Sequence, residues 1–116
     1  MATKTWLGTT SSVYTLTGNW QGGTPVANDD VLITGSGAIT GSNQSGVELD
    51  SIIIRQMSGA IGSEAAYLQL DTADDSRVEI EASGLVYLDL GDAAVDVLIT
   101  GTASTAFPAM GIYLQG

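Results

Sequence analysis

The amino-acid sequence predicts an all-β protein in the form of a short parallel β-helix, with an antiparallel β-sandwich as the alternative. Short apolar runs rich in β-branched residues alternate with Gly, Ser, Asn and Asp, which is the pattern of strands and tight turns. No stretch keeps a helical period over a helical length. Similar segments return after roughly twenty residues, an interval typical of solenoid coils, and the chain would hold about four or five coils.

The predicted strands follow one another from residue 30 to the end of the sequence. Each is about three to six residues long, a normal length for a strand. Regular spacing of this kind fits a sandwich as well as a stack of coils, so both arrangements remain open. The apolar runs are residues 31–33, 47–49, 52–54, 67–70, 78–80, 85–90, 95–99 and 112–114.

Several of these segments repeat. YLQL at 67–70 returns as YLDL at 87–90, YLQ follows at 113–115, and VLITG at 31–35 returns at 97–101. Alignment of the two longer tyrosine units places Val78 beside Val95. If coils stack about 4.8 Å apart, Tyr67 lies over Tyr87 on the outside and alternate apolar residues line the interior. The residues predicted to face inward are Leu68, Leu70, Val78, Ile80, Val86, Leu88, Leu90, Val95, Val97 and Ile99.

Residues 1–29 differ from the coils predicted over residues 30–116. They contain both tryptophans and the turn-forming segment GGTP at 22–25. A solenoid needs a cover over the apolar interior at its end. We therefore expect residues 1–29 to form an N-terminal cap or an arm that docks on a neighbour, within a single domain.

Composition argues against catalysis and against several kinds of partner. The 116 residues include no Cys and no His, which removes thiol chemistry and the commonest general base and transition-metal ligand. The formal net charge is −10 with only three Lys and Arg residues. This is too little positive charge for nucleic-acid phosphates or anionic membranes. We expect no catalytic residues, no cofactor, and neither a nucleic-acid nor a membrane partner.

Acidic residues provide one weak candidate for a metal site. Asp71, Asp74 and Asp75 fall in one predicted turn and could collect a calcium ion, but their spacing matches neither an EF-hand nor a calcium-binding nonapeptide repeat. Turns favour Asp for local hydrogen bonding in any case. Glu79 and Glu81 alternate along one strand, and short turns around them leave little room for a substrate cleft. We interpret them as exposed strand residues.

Apolar residues on the outer side of strands indicate a contact with another protein surface. Three consecutive apolar residues place the middle one on the face opposite its neighbours. This applies to Ile53 within 52–54, and to Leu32 and Leu98 within the repeated VLITG segment. The candidate contact residues are these three together with Trp6 and Trp20.

The segment GNWQGGTP at 18–25, followed by DDVLI at 29–33, resembles the NW…GG..P…D.V.I lead-in to β-helical surface proteins. These include autotransporter-like passengers and tailed-phage virion proteins. The resemblance implies a rigid β-helical element for display or attachment, often trimeric in phages. The long repeat arrays of autotransporter passengers are absent from this sequence.

Two functional expectations follow. The first is a non-enzymatic phage virion protein, either a capsid decoration (cement) protein or a small head or tail appendage. It would form a homotrimer and bind a capsid or other virion protein at the particle surface. The alternative is a carbohydrate-binding or adhesin module at a bacterial cell surface or outside the cell, in which Tyr67, Tyr87 and Tyr113 form a platform that stacks against a glycan.

Overall fold

The computed structural model describes residues 3–8, 10–63, 65–82, 85–90, 97–100 and 112–115, with side chains except at 45, 73–75, 82, 97–100 and 112–115. Within these residues the regular elements are strands and one short 3-10 helix, so the prediction of an all-β protein is confirmed. In chain order they are β1 (Thr3–Trp6), the 3-10 helix (Thr17–Asn19), β2 (Trp20–Gln21), β3 (Asp30–Gly35), β4 (Asn43–Met57), β5 (Leu68–Ala82), β6 (Val86–Asp89), β7 (Val97–Thr100) and β8 (Ile112–Gln115).

The strands belong to one open sheet in which parallel pairing dominates. The hydrogen-bonded order is β2-β1-β3-β4-β5-β6-β8, and β7 pairs with β5. Among the described pairs only β1 and β2 run antiparallel, whereas the others are parallel. An antiparallel sandwich would require hairpin-type pairs instead, so the alternative arrangement does not fit this sheet.

Residues at corresponding positions form rows across the parallel strands. One row contains Val31, Ile52, Val78 and Val97, which are 21, 26 and 19 residues apart. The interval of roughly twenty residues is therefore present but irregular. The predicted alignment of Val78 with Val95 is wrong, because the connection before β7 contains two more residues than that alignment allowed. A shift of two residues keeps the same side of the strand inward.

The inward sides of the strands form one apolar core. Residues of the same row pack on one another, as Ile33 does with Ile54 and Ile80. Full burial of such side chains contributes about 1.5–3 kcal/mol each. The inward residues predicted from alternation that the structure describes with side chains are all buried: Leu68, Leu70, Val78, Ile80, Val86, Leu88 and Leu90. The side chains of Val95, Val97 and Ile99 lie outside the described residues.

The two longest strands each contribute to two parts of the sheet. Residues 43–44 of β4 pair with residues 69–70 of β5, and residues 51–54 pair with residues 77–80 after shifts in register. Such irregularities change the direction of a strand. Gly46 lies in this part of β4 with a φ of 85°, a conformation that glycine adopts without a steric penalty.

The connections between strands also lie in register. Isolated parallel bridges join Ile39 to Ile61 and Ile61 to Val86, and all three side chains are buried. At another turn, a Cβ on Gly59 would lie 2.6 Å from the carbonyl oxygen of Ser36. The backbones of two successive turns therefore approach so closely that only glycine fits at residue 59.

The N-terminal segment packs against the first long parallel strand. β1 pairs in register with β3, so Thr3–Trp6 belongs to the same sheet as the predicted coils. The Trp6 and Trp20 rings meet edge to face with centroids 5.2 Å apart, and Tyr14 meets Trp20 in the same way at 5.0 Å. All three side chains are buried. The three aromatic side chains are thus part of the apolar core, and the role of residues 1–29 as a cap or docking arm stays a prediction.

Asn19 fixes the loop around this aromatic cluster. Its Oδ1 accepts hydrogen bonds from the backbone N–H groups of Thr10 and Ser11 at 3.0 and 2.9 Å. Its Nδ2 donates to Ser11 Oγ and to the Val13 carbonyl. The side chain is fully buried, so the Asn-Trp pair of the sequence motif serves packing in this protein.

Candidate interaction surfaces

One outward face of the sheet carries the predicted apolar contacts. It consists of the outward residues of β3, of residues 51–55 in β4 and of residues 77–81 in β5, and we call it the Leu32–Ile53 face. Leu32 and Ile53 are register partners on neighbouring strands, and Glu79 continues their row on β5. Both apolar side chains are partly exposed, whereas their strand neighbours point into the core. Their outward orientation agrees with the prediction.

The backbone register places Leu98 in the same row of residues. Leu98 lies on β7 as the register partner of Glu79, so it occupies the next position beyond Glu79 in the row of Leu32 and Ile53. Its side chain lies outside the described residues, and its role as a contact stays a prediction.

The predicted contacts Trp6 and Trp20 are corrected by the structure. Trp6 is 1% exposed and Trp20 is 4% exposed, so neither offers side-chain surface to a partner. Their indole N–H groups donate to backbone carbonyls, Trp6 to Gly37 at 3.2 Å and Trp20 to Tyr14 at 2.6 Å. The expectation was wrong because the polar, glycine-rich sequence around each tryptophan does not indicate that its side chain is buried in the apolar core.

The Leu32–Ile53 face carries both signs of charge. Its carboxylates are Asp30, Glu79 and Glu81, and its guanidinium groups are Arg55 and Arg77. Arg77 forms an ion pair with Glu79. The chain has only one other basic residue, so this face is nearly balanced while the whole protein is strongly acidic.

A second outward surface carries the repeated tyrosines. Tyr67 and Tyr87 lie one above the other, with ring centroids 5.3 Å apart and an interplanar angle of 80°. The predicted contact between these two rings is therefore present, but the rings are nearly perpendicular and do not form one flat plane. Tyr113 is the backbone register partner of Tyr87, and its side chain lies outside the described residues.

A row of polar residues runs beside the tyrosines. Asn43 is the register partner of Gln69, and Gln69 is that of Asp89. Together with Tyr67 and Tyr87 these residues define what we call the tyrosine flank. Asn43 is exposed and the other members are partly exposed. The polar row was missed by sequence reasoning, although the spacing of Gln69 and Asp89 within the YLQL and YLDL repeats was a usable signal.

The weak calcium site receives no support from the part of it that is described. Asp71 accepts hydrogen bonds from the Gly46 backbone N–H at 2.9 Å and from Gln69 Nε2 at 3.0 Å. The side chains of Asp74 and Asp75 lie outside the described residues. Among the described residues no three acidic, His or Cys side chains form a metal-binding group. The site stays a prediction.

Three polar side chains of the N-terminal segment, Lys4, Tyr14 and Asp29, form a largely buried cluster. Lys4 Nζ lies 2.6 Å from Asp29 Oδ2, and that carboxylate also accepts a hydrogen bond from the Val26 backbone N–H. Burial, with a smaller contribution from the Asp29 carboxylate, raises the pKa of the Tyr14 phenol well above its usual value. The cluster joins β1 to the residue before β3, which is a structural role.

The chain matches no known protein family, no curated protein sequence and no solved structure. No helix within the described residues is long and apolar enough to cross a membrane. The class is therefore defined by the structure itself: an all-β protein with a mixed, mostly parallel, open sheet.

Proposed function

We propose that this chain is a short parallel β-solenoid with a non-enzymatic, structural function, and that it self-associates through the Leu32–Ile53 face. The solenoid form is supported by the in-register rows that continue from β1 and β3 through β4 and β5 to β7. The close approach of successive turns at Gly59 also supports it. A stack of this kind is stiff because each coil is hydrogen-bonded to the next.

The observation that carries the proposal is the composition of one face. Leu32 and Ile53 form a partly exposed apolar pair, and charges of both signs surround it. Apolar surface within a polar rim is the usual anatomy of a protein contact. Structural proteins attach through such surfaces without any need for catalytic groups.

The occupant of this face is a second copy of the same chain. Two copies of a protein with a net charge of −10 repel each other over most of their surfaces. The Leu32–Ile53 face avoids this repulsion, because Arg55 and Arg77 of one copy can approach Glu79 and Glu81 of another. A closed ring repeats one head-to-tail contact between identical subunits, so the basic part of this face on one copy would meet the acidic part on the next. A closed ring of three subunits is the assembly we propose.

The resemblance of residues 18–33 to β-helical virion proteins suggests where such an assembly works. We assign the homotrimer to the surface of a phage particle, as a capsid decoration protein or a small head or tail appendage bound to a capsid or other virion protein. This assignment has its own test. Mass spectrometry of phage particles purified from the strain that encodes the chain should detect it, and its absence from them would overturn the virion assignment.

Self-association is tested by the molar mass in solution, measured by light scattering during size exclusion. The unmodified chain should have three times the mass of one subunit. Ile53→Thr keeps a β-branched residue in the strand but removes the apolar contact, and Arg77→Glu reverses one charge. Both variants should shift the mass toward a monomer while the β-sheet signal in circular dichroism stays unchanged.

Leu85→Thr is the matched control, because Leu85 is an exposed apolar residue (49% of its surface) outside the Leu32–Ile53 face. It should leave the trimer intact. A monomeric unmodified chain at all concentrations would contradict self-association. A trimer that Ile53→Thr and Arg77→Glu leave unchanged would contradict the assigned face.

A further inference from the structure

We propose that the tyrosine flank binds a neutral saccharide, with the rings of Tyr67 and Tyr87 against its C–H surfaces and the row Asn43, Gln69, Asp89 bonded to its hydroxyl groups. This site is separate from the self-association face and does not depend on it. The proposal rests on the pairing of an aromatic row with a polar row in register.

The parallel stacking produces both rows. Leu68 and Leu88 are buried register partners, so the residues on either side of each leucine point outward. Tyr67 and Tyr87 therefore share one outer row, and Gln69 and Asp89 share the next. Neighbouring strands are about 4.8 Å apart, so β5 and β6 each offer one ring and one polar side chain, and β4 adds Asn43 to the polar row.

The ring geometry suits single saccharide units better than a continuous flat ligand. The ring centroids of Tyr67 and Tyr87 are 5.3 Å apart and the ring planes are inclined by 80°, so the edge of one ring points toward the face of the other. Saccharide rings present C–H groups on their faces and hydroxyl groups at their rims. An aromatic face packs against the C–H groups, and nearby amides and carboxylates form hydrogen bonds with the hydroxyl groups. Small-molecule sites usually combine apolar or aromatic surface with a few polar groups in this way.

One polar side chain of the flank, that of Gln69, is held in place by its neighbours. Gln69 Nε2 donates to Asp71 Oδ1, and Asp71 Oδ2 accepts from the Gly46 backbone N–H. The Gln69 amide oxygen is thereby oriented, and an amide oxygen accepts two hydrogen bonds. Side chains already fixed by neighbours lose little conformational entropy when a ligand binds.

Charge restricts the ligand to neutral saccharides. All three basic residues of the chain lie elsewhere: Lys4 is nearly buried against Asp29, and Arg55 and Arg77 are on the Leu32–Ile53 face. The flank itself carries the carboxylate of Asp89, and the carboxylate of Asp71 lies beside it as the hydrogen-bond partner of Gln69. A sulfated or carboxylated saccharide would therefore be repelled, with no cation to compensate.

The test uses the full chain on a panel of immobilised neutral, sulfated and carboxylated glycans, followed by titration of the strongest neutral oligosaccharide by NMR. Tyr87→Ala and Tyr67→Ala should each lower the affinity about tenfold or more, because each removes a stacking ring. Tyr87→Phe keeps the ring and should retain most of the affinity. Gln69→Ala should weaken binding without loss of the ring contacts.

Val26→Ala is the control, since Val26 is exposed (58%) in the N-terminal segment, and it should bind like the unmodified chain. Three outcomes would overturn the proposal: no saturable binding to any neutral glycan, binding only to anionic glycans, or binding that Tyr67→Ala and Tyr87→Ala leave unchanged. Ile53→Thr should not alter glycan affinity, so failure of the glycan site and failure of self-association are distinguishable.

Discussion

Lys4 and Asp29 form a nearly buried ion pair, with Lys4 Nζ 2.6 Å from Asp29 Oδ2 and side-chain exposures of 12% and 3%. The pair links the first strand to the residue that precedes β3. Lys4 is the register partner of Val31, which belongs to an inward apolar row. An inward lysine at this position is tolerated only because the carboxylate is within hydrogen-bonding distance.

Removal of one member of this pair should destabilise the fold far more than removal of both. Asp29→Asn leaves the Lys4 ammonium without its counter-ion and should lower the free energy of unfolding by about 3–5 kcal/mol. Lys4→Met should have a comparable effect, because it leaves the buried carboxylate without its cation. The double variant should be more stable than the sum of the single effects predicts.

The measurement is urea unfolding followed by fluorescence of Trp6 and Trp20, which are buried in the same segment. If the effects of the two single substitutions on the free energy of unfolding add up strictly in the double variant, Lys4 and Asp29 have no interaction energy, which would contradict this prediction.

Much of the strand pattern could be predicted from the sequence, because alternation of side chains across a strand is a local property. Leu68, Leu88 and Ile53 were placed on the correct sides for this reason. The register between distant segments was harder. Val78 was aligned with Val95 instead of Val97, since the length of a connecting turn is not encoded in the strand residues themselves.

The close approach of turns at Gly59 predicts a large effect of one added methyl group. In Gly59→Ala the new Cβ would lie 2.6 Å from the Ser36 carbonyl oxygen and 2.8 Å from the Gly37 carbonyl carbon. These are backbone atoms of the preceding turn, so the strain cannot be relieved by a side-chain rotation. We expect a loss of about 3 kcal/mol in the free energy of unfolding.

Gly46→Ala is the matched control, because its φ is 85° but nothing lies within 4 Å of the added Cβ. Its free energy of unfolding should fall by only about 1–2 kcal/mol, because alanine is disfavoured at a positive φ. Equal losses in the two variants, measured by urea unfolding, would show that close stacking at Gly59 is not important for stability.

Thr72 offers a substitution that should stabilise the protein. It is buried on β5 as the register partner of Leu49, and within the described residues its Oγ1 has no hydrogen-bond partner. Thr72→Val keeps the shape and removes the desolvated hydroxyl, so we expect a gain of about 1 kcal/mol.

Thr72→Ser keeps the hydroxyl but loses the methyl group, and it should lower stability. The thermal midpoints of the two variants, measured by circular dichroism, should therefore shift in opposite directions. A decrease for Thr72→Val would indicate that the hydroxyl is bonded in solution.

Tyr14 predicts a change of stability at alkaline pH. Burial raises its pKa in the folded protein above the ordinary tyrosine value of about 10. Below that value the phenol is neutral in both states and contributes no pH dependence. As the pH rises above about 10, the unfolded chain releases the proton first, so the folded state loses stability.

Comparison with Tyr14→Phe isolates this effect from those of the neighbouring Lys4 and Asp29. The difference in unfolding free energy between the unmodified chain and Tyr14→Phe should be constant up to about pH 10 and should then move in favour of the variant. A difference that stays constant throughout the alkaline range would contradict the shifted pKa.

The candidate surfaces were predicted less completely than the strands. Leu32 and Ile53 were found because three apolar residues in a strand cannot all face inward. Trp6 and Trp20 were misplaced, since their burial depends on contacts with Tyr14 and β3 that no local pattern reveals. The YLQL and YLDL repeats place Gln69 and Asp89 at equivalent positions, but only the strand register adds Asn43 to the polar row of the tyrosine flank.

Both proposed surfaces depend on parallel, in-register strands, above all on the arrangement of β3, β4 and β5, and NMR tests this arrangement most directly. Nuclear Overhauser contacts between backbone protons of Leu32 and Ile53, and of Ile53 and Glu79, should follow the parallel pattern in one continuous row. Close pairs of Hα protons facing each other across these strands are typical of antiparallel neighbours. Their presence, or contacts in a different register, would contradict the stacked arrangement and both proposed surfaces.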